Sequence, residues 1–159
     1  MIQTETILKM VFDRWEASLK NCDTLLAAVT DETLQKQIAP GKNRGIYLLG
    51  HLIAVHDDLL RLLGMGEKQY PELFEPFITL ADNEQTPFPA TSELRAIWKT
   101  QCAFLKQKFD SLKPEEWFEK HTAVSAEEFA SEPHRNKLNI IITRTTHLQY
   151  HLGQMVLLK

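Results

Sequence analysis

Cysteine is scarce in this 159-residue chain: Cys22 and Cys102 stand alone, without CxxC spacing. That excludes a cysteine-rich structural zinc site, and it argues for free thiols in a reducing, cytoplasmic setting more than for a disulfide framework. Both read as small core hydrophobes. No apolar run reaches the ~20 residues of a membrane-spanning helix, so no membrane partner is expected. The opening MIQTETILKM lacks the basic run and the unbroken apolar core of a secretory signal. Excess charge of one sign is also missing, with Lys+Arg 18 against Asp+Glu 21 and a net charge of −3. The basic residues are scattered singly, so nucleic acid binding, which rests on clustered phosphate neutralisation, gains no support. There is no period-two alternation of useful length, no GxGxxG or GxxxxGK[ST] loop, and no internal repeat. Nucleotide-binding α/β folds are thereby disfavoured.

What is present is helical period. Hydrophobic residues make up 43% and charged residues 25%, as in an ordinary globular protein. The length suits one domain, residues 1–159, with a core large enough to leave a metal free for chemistry. Leu8, Phe12, Trp15, Leu19, Cys22, Leu26 and Val29 step alternately by four and three, which predicts a first helix with one apolar seam. A second helix runs from Gly45 to Leu63, apolar nearly all round in its first half and stopped by Gly64 and Gly66. Pro71, Pro76, Pro87 and Pro89 restrict the stretch from Met65 to Ala90 to short helical pieces such as PELFEPFITL. This long connection between helices two and three suits a bundle crossover. A third helix opens with Thr91 or Ser92 as cap and stops before Pro114. Residues 114–135 read as irregular, with one turn at PEEWF. A last helix spans about Asn136 to Leu158. The fold class expected is all-α, a four-helix bundle.

In the last helix Ile140, Arg144, His147, His151, Gln154 and Leu158 share one stripe, flanked by an apolar stripe of Ile141, Leu148, Leu152 and Met155. Residues four apart lie ~40° and ~6 Å apart, which lets two imidazoles grip one ion. His51, embedded in YLLGHLIAV, is the natural third ligand, since an imidazole in an apolar segment needs partners for its nitrogens. Three neutral imidazoles suit zinc, nickel, cobalt or ferrous iron and leave a position open for water or substrate. The competing reading of the same residues is a set of hydrogen-bonded or partly exposed histidines. HExxH is ruled out because Leu148 follows His147, and no ExxH repeat supports a di-iron bundle. His56, turned ~140° from His51, is expected at the helix surface and outside the cluster, as are His121 and His134. Asp58, one heptad after His51, is a candidate carboxylate for orienting a histidine, against ~11 Å of helical rise that disfavours direct contact. Arg144 is a candidate for meeting an anionic substrate, against a surface or capping role.

The segment HLQYHLGQM, from His147 to Met155, resembles the final-helix signature HxxxHxGQ of the DinB-like (DinB/YfiT) superfamily. GKNRGIYLLGHL resembles the second-helix block of that family, and the long first helix, the proline-rich middle and LKPEEWF follow in the expected order. The resemblance implies a bundle of DinB/YfiT type, often homodimeric, that holds a divalent metal through His51, His147 and His151. Similar proteins include bacillithiol S-transferases and mycothiol-dependent isomerases, so a low-molecular-weight thiol is an implied cosubstrate. Gly153 and Gln154 match the family's GQ pair, for which the expected role is packing: close helix approach by the glycine and a hydrogen bond across the bundle by the amide. The function so implied is a metal-dependent enzyme that activates a thiol or water for attack on a small electrophile. A non-catalytic metal-binding or stress-response bundle is the alternative.

Overall fold

The computed structural model describes residues 2–83 and 85–159. Six α-helices carry the architecture: α1 (Ile2–Ala28), α2 (Asp31–Leu34), α3 (Gly45–Leu62), α4 (Thr91–Asp110), α5 (Ala126–Ser131) and α6 (Lys137–Met155). Among the described residues there is no strand, only isolated bridges such as Gln37 with Arg44 and Lys120 with Asn136. No described helix is long and apolar enough to cross a membrane. The four long helices are the expected ones, and they form an all-helical bundle in which α1 packs on α6 while α3 packs on both α4 and α6.

The seam of α1 is buried at Leu8, Trp15, Cys22 and Leu26, and continues to Val29 just beyond the helix, as its period requires. Its end is closed from another helix. Arg95 of α4 donates to the carbonyls of Leu26 (2.6 Å) and Val29 (2.7 Å) and pairs with Asp31 at 2.7 Å, supplying donors that the last turn of α1 lacks. Only His51, Asp58 and Arg61 of the 18 residues of α3 escape burial. They are seven and three residues apart, so they form a single stripe. Every other face of α3 is packed.

The connection from Met65 to Ala90 holds a 3₁₀ turn at Pro71–Leu73 and a π-helical turn at Glu75–Thr79, short pieces as the prolines dictate. Three residues, Arg44 just before α3 and Tyr47 and His51 within it, pin its later part. Arg44 makes a two-pronged pair with Asp82, Nη2 to Oδ1 at 2.7 Å and Nε to Oδ1 at 3.0 Å, while its backbone N–H donates to Oδ2 at 2.6 Å. Tyr47 Oη donates to the Leu80 carbonyl at 2.8 Å, and His51 Nδ1 to the Phe77 carbonyl at 2.9 Å. At the other end, buried Asp57 accepts from the backbone N–H groups of Gln69 (3.0 Å) and Tyr70 (2.8 Å).

Two boundaries differ from expectation. The residue before α4 is Ala90, which makes no side-chain cap. Thr91 is already helical, and its hydroxyl accepts instead from Gln35 Nε2 at 2.8 Å, tying α4 to the turn after α2. The irregular stretch also contains α5, closed by a reciprocal cap in which Ser125 accepts from Glu128 N (3.1 Å) and Glu128 accepts from Ser125 N (2.8 Å).

Candidate metal centre

His51 stands on the open stripe of α3, and His147 and His151 face it from α6. The Nε2 atoms of His51 and His147 are 3.1 Å apart, as are those of His151 and His147. The three candidate ligand atoms all lie within 4.8 Å of one another, an arrangement able to hold one metal ion. Two nitrogens bound to a tetrahedral ion at ~2.05 Å are about 3.3 Å apart, close to the two 3.1 Å separations at His147.

The proton positions point the same way. A carbonyl oxygen only accepts, so the bond to Phe77 places the proton of His51 on Nδ1 and leaves Nε2 a free lone pair. His151 Nδ1 donates likewise to Gln154 Oε1 at 2.7 Å, one turn further along α6. Two lone pairs therefore face His147 Nε2, which can offer at most one proton between them. A cation at the centre satisfies all three nitrogens. His147 Nδ1 is buried without a hydrogen-bond partner.

All three imidazoles are held neutral. Burial pushes the His51 pKa down, its bond to Phe77 acts against this, and the Arg144 charge lowers it further. His147 falls to about 4, through burial first and then His151, His51 and Arg144. Burial also lowers His151, opposed by Gln154 and aided by His51. Neutral imidazole is the ligating form. Around them Tyr47 lies nearly parallel to His51 (12°), and the exposed Tyr150 sets its edge to His151 with centroids 5.0 Å apart.

A model of the DinB superfamily matches residues 14–155. The chain belongs to that superfamily. The match takes in all three histidines and most of the bundle that positions them. No curated protein matches the chain.

The DinB-type bundle corrects several expectations about single residues. His56 lies outside the cluster, as its direction on α3 requires, yet it is 0% exposed instead of a surface residue. It sits between Trp15 and Trp98, with centroids 5.0 and 5.1 Å away and neither ring nitrogen partnered, because the face of α3 opposite His51 meets α1 and α4, not water. His121 is also buried, since Thr122 binds the end of α3 through Leu62 O (3.0 Å) and Arg61 O (2.9 Å) and draws its neighbour in. His134 is exposed as expected. Asp58 orients no histidine and pairs with Arg61 (2.9 Å) and Lys68 (3.3 Å).

Gly153 is exposed, with nothing within 4 Å of where a Cβ would stand, so it mediates no close helix approach. Gln154 bonds within its own helix to His151 instead of across the bundle. Close approach occurs at Gly50, where a Cβ would overlap the Phe77 ring. Neither Phe77 nor Gly50 stood out in the sequence. The signal was there in outline: a glycine inside an otherwise apolar helix, next to the histidine, often marks a packing contact.

Proposed function

We propose that the chain is a metal-dependent enzyme whose His51, His147 and His151 hold one divalent ion, with zinc, nickel and iron the leading candidates. The observation that carries this reading is the pair of 3.1 Å Nε2 separations among three imidazoles, two of which, His51 and His151, have their outer nitrogens committed at Phe77 and Gln154. An ion held by three neutral ligands would supply Lewis-acid polarisation and ease deprotonation of a thiol or water for attack on a small electrophile. The protein's own share is orientation. Phe77 and Gln154 set the ring planes and tautomers, burial keeps the rings unprotonated, and the pinned connection walls one side.

Protein purified without an affinity tag or chelator is expected to carry about one ion per chain by elemental analysis. His151→Ala should lose that ion while keeping its helical circular dichroism. Turnover found in thiol-conjugation or esterase screens should vanish with the ion. Undiminished turnover in verified metal-free protein would refute the proposal.

One observation favours the second reading, a non-catalytic metal-binding bundle. Two cavities, of about 500 Å³ between α1 and α4 and about 650 Å³ between α1 and α6, include none of the three histidines in their walls. Stoichiometric metal with no effect of its removal on any screened reaction would select this reading.

A further inference from the structure

Arg144 lies on α6 three residues before His147 and seven before His151, on the stripe that carries both. Its Nε is sealed from solvent and has no hydrogen-bond partner. Burial depresses its pKa, but a guanidinium keeps its charge at any physiological pH, so the cost of burying it is not relieved by losing the proton. The carboxylate whose field reaches it is that of Asp58. That carboxylate is already held by Arg61, through bonds of 2.9 and 3.0 Å, and by Lys68. Three cations thus share one acid.

The imbalance extends to the histidines. The Arg144 charge is felt at His51, His56 and His147, and three neutral imidazoles bring no negative charge of their own. A divalent ion among them would make the deficit larger. The stripe therefore lacks a counter-ion. No second lysine or arginine lies on α6 between Arg144 and His151. A phosphate is normally met by several donors or a helix N-terminus. One unpaired planar fork suits a carboxylate, which matches it two oxygens to two N–H groups.

We infer that Arg144 receives the carboxylate of a small-molecule substrate whose reacting group lies at the three histidines. This rests on the metal reading above and names the class of molecule that the site takes.

The test uses full-length protein loaded with cobalt(II) and two probes, 3-mercaptopropionate and its carboxamide, with binding followed in the cobalt spectrum. Wild-type protein should bind the acid roughly tenfold or more tightly than the amide, the worth of a charge-assisted two-pronged pair. In Arg144→Gln the preference should vanish, while affinity for the amide stays unchanged and so reports an intact site. Arg144→Lys should keep part of it, because charge remains and the fork is lost. A purely structural arginine would alter both affinities together. Equal affinities in wild type, no binding of the acid, or a preference that survives Arg144→Gln would each overturn the inference while leaving the metal reading in place. Failure to take up cobalt would remove both.

Discussion

The Phe77 ring fills the place where a side chain on Gly50 would stand: a Cβ there would overlap the ring, and the carbonyl of that same phenylalanine accepts from His51 Nδ1 at 2.9 Å. Absence of a side chain at one position thus sets the orientation of its neighbour's imidazole. Gly50→Ala is expected to displace Phe77, at a stability cost of about 1–3 kcal/mol for overpacking. Metal affinity should fall by roughly ten- to a hundredfold, as when other outer partners of metal-ligating histidines are lost. Chemical denaturation and competition with a chromophoric chelator measure the two effects. Unchanged affinity would show that the Phe77 carbonyl does not orient His51.

Gln154 does for His151 what Phe77 does for His51, but from a half-buried position in the same helix. Gln154→Leu should lower metal affinity about tenfold while changing stability by less than about 1 kcal/mol. The contrast with Gly50→Ala is the informative part, since here affinity moves and the fold does not.

His56 ties stability to pH. Its folded pKa is pushed down to about 3 from the ordinary 6.5, chiefly by complete burial between Trp15 and Trp98, with Arg144, His147 and His51 adding to the shift. A group with a depressed folded value binds more protons when unfolded, so its contribution is fully present above pH 6.5. It is lost as pH falls toward 3, at up to about 1.4 kcal/mol per pH unit. Metal-free wild-type protein should lose stability across that window. His56→Phe keeps the ring between the two indoles and removes two unpartnered nitrogens, so it should flatten the decline and be neutral or stabilising at pH 7. Urea titrations at several pH values decide it, and an equally steep decline in the variant would count against His56 as its source.

Asp82 holds the connection to the start of α3 through Arg44, with side chains only 6% and 14% exposed. Asp82→Asn leaves the guanidinium largely buried without its counter-charge and should cost about 3–5 kcal/mol. Hydrogen exchange over residues 70–83 should quicken more than in α1, because the anchor there is lost locally. Uniform quickening would mean that the pair supports the whole bundle equally.

The long helices were legible because each writes its buried face into a local repeat, as the seam from Leu8 to Val29 does in α1. Helix α5 was legible in principle: Ser125 and Glu128 stand at capping-box spacing, but six residues with no buried side chain have no apolar stripe to announce them. Thr91 misled for the opposite reason. Its type suits a cap, yet the partner that claims its hydroxyl, Gln35, is 56 residues away. His56 and His121 were misplaced because exposure depends on which neighbours arrive, and no local period reports that.

From the sequence alone, α6 had to bring His147 and His151 to one face, since four residues make little more than one helical turn and the backbone geometry leaves no choice. The same rule set His56 apart from His51. Only the tertiary structure brings in the third ring, from 96 residues away, and only it turns the lone pairs inward by placing Phe77 O and Gln154 Oε1 behind two of the rings. It also leaves Arg144 short of a counter-ion. Local geometry follows from dihedral angles that each residue carries with it, whereas packing, proton placement and uncompensated charge depend on what the rest of the chain brings into contact.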